Sequence, residues 1–161
     1  MQAGQLIKSE RGQSIVEALI ALTAGVMIIA AITIAVVNSV NNADFAKNQN
    51  LATSYSQQAL EIINVLQKNN WASFSELSSG TYCLGKESNN LYQPSLNCGE
   101  NVDRFVRTIV ITQSAANCSG GSKVKINTSW SDGKCTDVNN RYCHTVELVS
   151  CVTGIDVLPA P

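Results

Sequence analysis

Apolar residues are concentrated at the start of this chain. The stretch from Ala18 to Val37 carries no charged residue, and the segment from Asn38 to about Lys68 contains neither Pro nor Gly. About 20 predominantly apolar residues in a helix suffice to cross the hydrocarbon core of a bilayer. We therefore predict a transmembrane or otherwise buried helix segment at 13–37.

The next segment has the spacing of an amphipathic helix. After Asn38 the apolar residues recur mainly every three to six positions, at Val40, Phe45, Leu51, Tyr55, Leu60, Ile63 and Leu66. This period predicts that 38–70 continues the first helix and covers a sheet with one face. The core-facing residues are predicted to be Tyr55, Ala59, Ile62, Ile63 and Leu66. We expect Asn69 and Asn70 to end the helix.

The remainder, 71–161, has the pattern of a small β domain. Trp71 and Phe74 are expected to lie in an irregular link at the junction of helix and sheet. Apolar and polar residues alternate over 104–112, 123–130 and 144–152, which predicts three strands of an antiparallel meander. The fold class is therefore α+β: a long N-terminal helix packed on a small antiparallel sheet with disulfide-bridged loops.

All six cysteines lie in this distal part. An even number of cysteines outside the apolar segment favours disulfides formed in an oxidising compartment. An antiparallel hairpin of 123–130 with 144–152 would place Trp130 near His144 and Lys123 near Cys151. In that hairpin Cys135 and Cys143 would close the connecting loop, and Cys118 could reach Cys151. Cys83 and Cys98 remain, and they bracket the loop 84–97. Other connectivities are possible, but the predicted pairs are Cys83–Cys98, Cys118–Cys151 and Cys135–Cys143.

Charge and composition argue against several classes of function. The formal net charge is −1, and no basic patch follows the apolar segment, so nucleic acid is not indicated as a partner. The cysteine spacings lack a C-x2-C knuckle and the sequence has one histidine, so no metal site is expected. No nucleophile elbow or phosphate loop is present, and Cys143 beside His144 is expected to be bridged. We predict a non-enzyme with no catalytic residues and no cofactor.

Glu17 stands at the head of the apolar segment, where a carboxylate needs an explanation. Within a spanning helix a charged side chain costs about 2.5–3.5 kcal/mol at the bilayer centre, and less near the interface. One interpretation is a signal anchor, with Lys8 and Arg11 holding the N-terminus in the cytoplasm. That interpretation leaves Gly12 and Glu17 unexplained.

Residues 11–37, RGQSIVEALIALTAGVMIIAAITIAVV, resemble the prepilin signal of type IV pilins and of type II secretion pseudopilins. The resemblance implies a leader of residues 1–12, cleavage after Gly12 by a prepilin peptidase, and N-methylation of Gln13. Glu17 is then the fifth residue of the mature chain, as in that family. The family also implies that Glu17 pairs with the N-terminal amine of a neighbouring subunit during assembly.

A second stretch, 58–74 (QALEIINVLQKNNWASF), resembles the segment that follows the anchor in minor pilins. No proline precedes Pro94, whereas major pilins often carry one in the apolar segment, which favours a minor pilin or pseudopilin. The expected function is a minor pilin-like structural subunit of a type IV pilus, serving adhesion, motility or DNA uptake. The alternatives are a type II secretion pseudopilin and a membrane-anchored extracytoplasmic binding protein.

The resemblance also implies partners and a location. The partners would be other pilin subunits through the N-terminal helix, the prepilin peptidase, an inner-membrane assembly platform, and membrane lipid before assembly. The chain would first span the inner membrane once, with its C-terminal domain outside the cytoplasm, and would then reach the pilus at the cell surface. Binding is expected in the bridged region 83–151, since loops on a scaffold carry such contacts.

Overall fold

The structure is a computed structural model in which residues 11–93, 97–118, 120–131 and 143–154 are described. The chain forms two compact units, residues 1–45 and residues 46–161. The described part of the first unit is helical throughout. The second unit contains the sheet and the core.

One helix, α1, extends over Arg11–Asn69, as the uninterrupted segment without Pro predicts. It ends at the predicted position, where Asn70 follows. Asn70 then caps a short helix, α2 (Trp71–Ser75), because its side-chain Oδ1 accepts a hydrogen bond from the backbone N of Ser73 at 3.0 Å. The predicted irregular link at Trp71 is thus wrong: these residues form one helical turn, and Phe74 on that turn is buried in the core.

Four strands form an antiparallel meander in the order β1-β2-β3-β4. They are β1 (Gly80–Cys83), β2 (Val106–Thr112), β3 (Gly121–Trp130) and β4 (His144–Thr153). The three predicted strands correspond to β2, β3 and β4. β1 was not predicted, because its four residues are too few to show an alternating pattern.

The register of the β3–β4 hairpin agrees with the sequence-based expectation. Trp130 pairs with His144 at one end, and Lys123 pairs with Cys151 near the other. In this register Val124, Ile126 and Trp130 all point to the buried face of the sheet. A register shifted by one residue would turn all of them to solvent, so burial of this face fixes the pairing.

The sheet packs against the part of α1 that lies in the second unit. The main core cluster joins Ala59 and Ile63 of α1 with Phe74 and with residues from all four strands. A second cluster joins Ala52 to Val102, Phe105 and Trp130. The α+β layout of a helix on a small antiparallel sheet is therefore present.

The buried line along α1 differs in detail from the predicted stripe. Its most buried members are Asn48, Ala52, Ser56, Ala59, Ile63 and Gln67. The other predicted members of the stripe, Tyr55, Ile62 and Leu66, are half-buried at its margins. Small residues at the line of contact let the helix approach the sheet closely.

The three polar members of this line are paired. The hydroxyls of Ser56 and Thr128 share a hydrogen bond at 2.8 Å, and Nε2 of Gln67 donates to the carbonyl of Thr153. Oδ1 of Asn48 accepts a hydrogen bond from Arg104. A buried polar group is tolerated when it is hydrogen-bonded in this way. Apolar periodicity could not identify Ser56 and Gln67 as core residues, since their burial depends on partners in distant strands.

Candidate functional site

The helical part of the first unit exposes apolar side chains all around its axis. From Ile15 to Val40 its large apolar residues have relative exposures of 52–73%. α1 is long and apolar enough to cross a membrane. A helix that is apolar on every side needs a lipid or protein environment rather than water.

Glu17 lies in this helix and is exposed. The next charged residue along the chain is Asp44, so the carboxylate heads a long uncharged segment. Gly12 and Gln13, the residues of the predicted cleavage point, lie in the first turn of α1. The leader residues 1–10 lie outside the described residues.

The face of the helix that carries Glu17 is built of small residues. At about 100° per residue, four alanines fall within 40° of Glu17, with Ile28 as the larger member of this face. These alanines are Ala21, Ala24, Ala31 and Ala35. On the opposite face the larger residues Leu19, Leu22, Val26 and Val37 predominate, together with Ala30 and Thr33. Small residues let helix backbones approach closely in an apolar medium, whereas bulky residues suit contact with lipid chains.

Two disulfides tie the loops of the second unit to its sheet. They join Cys83 to Cys98 and Cys118 to Cys151, with Cα–Cα distances of 5.4 and 5.5 Å. Both are among the predicted pairs: Cys118–Cys151 from the hairpin geometry, and Cys83–Cys98 as the remaining pair. Cys143 is also disulfide-bonded. Cys135 lies outside the described residues, so the pair Cys135–Cys143 stays a prediction.

Arg107 is a fully buried arginine on the core face of β2. Its Nε donates to the carbonyl of Leu84 at 3.0 Å, and its Nη2 donates to the carbonyl of Gly85 at 2.7 Å. Its Nη1 donates to the carbonyl of Tyr55 at 2.8 Å and to Oε1 of Gln58 at 3.1 Å. The guanidinium thereby joins α1, β2 and the loop that follows β1.

The charge of this guanidinium is stabilised by neutral amide oxygens. Burial lowers the pKa of Arg107 to about 10, so the side chain stays protonated at neutral pH. The alternating pattern of β2 places Arg107 on the core side. Sequence reasoning did not single it out, because its acceptors lie on a strand and a loop that the pattern does not reveal.

A polar cluster of Tyr55, Lys86 and Asp103 lies at the surface of the second unit. The hydroxyl of Tyr55 donates to Asp103 Oδ2 at 2.7 Å, and Lys86 Nζ lies 2.8 Å from the same oxygen. The hydrogen bonds from Lys86 and from Tyr55 hold the pKa of the Asp103 carboxyl below its usual value. The hydrogen bond to Asp103 raises the pKa of Tyr55. A carboxylate of this kind is a weak base, so the cluster is better suited to joining loops than to proton transfer.

His144 and Cys143 are both engaged in contacts that support the fold. The His144 ring stacks on the indole of Trp130, with ring centroids 5.2 Å apart. The bonded sulfur of Cys143 is not a nucleophilic thiolate. Among the described residues no group of three or more His, Cys, Asp or Glu is placed to hold a metal ion.

No protein-family model matches the chain, and neither a curated protein nor a solved structure matches it significantly.

Proposed function

We propose that the chain is a minor pilin-like structural subunit of a type IV pilus. It is made as a precursor, cut after Gly12 by a prepilin peptidase and methylated on Gln13. It is held in the inner membrane by residues 13–37 and is then built into a fibre through the same helix. Glu17 contributes the polar contact that selects the position of each subunit in the fibre.

The observation that carries this proposal is the place of Glu17. The carboxylate lies five residues after Gly12, at the head of a helix segment whose apolar side chains are all exposed. A spanning helix in lipid does not require a carboxylate at this position. A fibre made of such helices does require it, because each subunit adds a positive N-terminal amine that needs a negative partner.

The pairing of these charges would fix the axial position of neighbouring subunits. When both charges enter the apolar interior together, each neutralises the other. Removing one partner of a buried pair leaves the second charge unpaired and costs about 3–5 kcal/mol. A subunit displaced along the fibre axis would suffer the same loss, so the pair disfavours wrong positions.

The alanine-rich face supports this role. Ala21, Ala24, Ala31 and Ala35 lie on the side of α1 that carries Glu17, so a neighbouring helix can approach where the carboxylate is. The bulky opposite face can contact lipid before assembly and other subunits afterwards. The same helix thus suits both environments that the proposal requires.

The N-terminus of the chain extracted from membranes provides the first test. Intact-mass and peptide mass spectrometry should find a chain that begins at Gln13 and carries one added methyl group. A chain that retains residues 1–12 would contradict the proposal and favour the signal anchor, with the distal unit as a tethered extracytoplasmic binding domain.

A processed chain is also expected for a type II secretion pseudopilin, so a second readout separates the two fibres. Deletion of the gene should remove or shorten extended surface pili and leave protein export intact. Loss of protein export with unchanged surface pili would favour the pseudopilin.

A further inference from the structure

A hollow of about 410 Å³ lies in the second unit where the end of α1, α2 and the loop after β1 meet. Its volume lies in the lower part of the range of small-molecule sites, which is about 300–1,000 Å³. The fibre proposed above makes no use of it. Its lining has two parts of different chemistry.

The floor of the hollow is apolar. It is formed by Leu66 of α1, Phe74 and Leu77 of the α2 region, and Leu91 of the loop. Phe74 is buried in the main core, and the three leucines pack against the same core. The floor is therefore held in place by the folded sheet.

The rim of the hollow is polar, with four asparagine amides and the hydroxyl of Ser73. Asn69 and Asn70 lie on the helix side, and Asn89 and Asn90 lie on the loop. The side-chain oxygen of Asn70 caps α2. All four asparagines are exposed, and the lining contains no charged residue.

The loop that supplies Asn89, Asn90 and Leu91 is fixed at its base. The backbone N of Cys83 donates to the carbonyl of Tyr92 at 2.8 Å, and the N of Tyr92 donates back to Cys83 at 3.2 Å. The disulfide of Cys83 with Cys98 holds the same point. The loop side of the hollow is therefore held to β1 by two hydrogen bonds and a disulfide.

We infer that this hollow binds a neutral carbohydrate of one or two rings. Asparagine amides donate and accept hydrogen bonds, as sugar hydroxyls do, and a pyranose ring has an apolar face of C–H groups that suits the leucine floor. A charged ligand would find no counter-charge in the lining. A purely aliphatic ligand would remove water from the amide rim and would offer no hydrogen bonds in place of those that the amides make to water.

Saturation-transfer NMR on the full chain tests this inference. The chain is placed in phosphatidylcholine nanodiscs, because detergents with sugar headgroups would compete. The probes are the methyl glycosides of glucose, galactose, mannose and N-acetylglucosamine, with cyclohexanol as the neutral, mainly aliphatic probe of similar ring size. We expect transfer to the ring protons of at least one glycoside and weaker transfer to cyclohexanol.

The double variant Asn69→Ala/Asn89→Ala removes one amide from each side of the rim. It should weaken binding of that glycoside about tenfold or more, since two hydrogen bonds are lost. Asn50→Ala is the matched control, because Asn50 is also an exposed asparagine of α1. It should bind as the parent chain does.

Three results would overturn the inference: no transfer to any glycoside, stronger transfer to cyclohexanol, or equal binding by the double variant. Circular dichroism and thermal unfolding show whether the double variant folds. If it does not, Asn69→Leu/Asn89→Leu keeps the side-chain shape and removes both the donors and the acceptors, and the same loss is expected. The inference does not depend on fibre assembly, so an uncut N-terminus would leave it standing.

Discussion

At the scale of single residues, the arginine on β2 organises the second unit. Arg107 is buried, and its donors satisfy the carbonyls of Tyr55, Leu84 and Gly85. The alternation of β2 predicts which side of the strand Arg107 occupies. It cannot predict the acceptors, because their positions follow from the packing of β1 and α1 on β2.

Arg107→Met should destabilise the second unit by about 3 kcal/mol or more. Methionine fills part of the volume but leaves buried carbonyls without donors, and each lost partner costs about 1–3 kcal/mol. Chemical denaturation followed by tryptophan fluorescence gives the free energy of unfolding. Trp130 is a suitable reporter, since it is buried in the second core cluster.

Lys125→Met is the matched control for this variant. Lys125 also lies on a strand and forms an ion pair with Glu147 at 2.6 Å, but both side chains are well exposed. Exposed ion pairs contribute about 0–1 kcal/mol, so this variant should unfold almost as the parent chain does. Equal effects of the two substitutions would show that the hydrogen bonds of Arg107 are not what stabilises the fold.

At the scale of elements, the helix and the three longer strands were predictable, because each repeats its pattern over at least seven residues. The register of β3 with β4 was also predictable from the alternation. β1 and α2 were not, since each has at most five residues and depends on tertiary contacts. The hollow of the candidate carbohydrate site lies among these short elements, and no sequence pattern pointed to it.

Gly121→Ala should destabilise the hairpin of β3 with β4 by about 1–3 kcal/mol. A Cβ at Gly121 would stand 2.5 Å from the carbonyl oxygen of Val152, so the start of β3 would have to move away from β4. Thermal unfolding of the two chains measures the difference.

Gly80→Ala provides the comparison, because Gly80 also begins a strand. Its added Cβ would meet only the side-chain Nε2 of Gln93, at 3.4 Å. A flexible side chain can move, so this variant should unfold within about 0.5 kcal/mol of the parent chain. Unchanged stability of Gly121→Ala would mean that the β3–β4 contact can relax without loss.

At the scale of the whole molecule, one helix contributes to two units of opposite character. Up to Phe45 its apolar residues are exposed, and from Ala46 onward it has a buried side against the sheet. The sequence predicts this change from a uniformly apolar segment to an amphipathic one. In the proposed function the first unit is surrounded by lipid before assembly and by other subunits in the fibre.

Glu17→Val should reach the membrane and be cut after Gly12, yet fail to enter fibres. Valine favours insertion, but it leaves the N-terminal amine of the neighbouring subunit without its partner. Incorporation should fall at least about tenfold, given the cost of an unpaired buried charge. Immunoblots of sheared fibres, compared with the membrane fraction, give the ratio.

Asp44→Asn is the control for Glu17→Val. It removes a carboxylate from the far end of the same uncharged segment. It should be incorporated at the parent level. Normal incorporation of Glu17→Val, or an equal defect in Asp44→Asn, would argue against a specific pairing of Glu17.

The bond between Cys118 and Cys151 has a consequence for copies of this chain that meet at high concentration. β4 has ten residues and ends the sheet, so it is the strand best placed to be exchanged between two molecules. An exchanged β4 would have to take Cys151 away from Cys118, and the disulfide forbids this. Domain swapping through β4 therefore requires a reductant. An oxidised chain keeps β4 in its own sheet even when other copies of the chain are close to it.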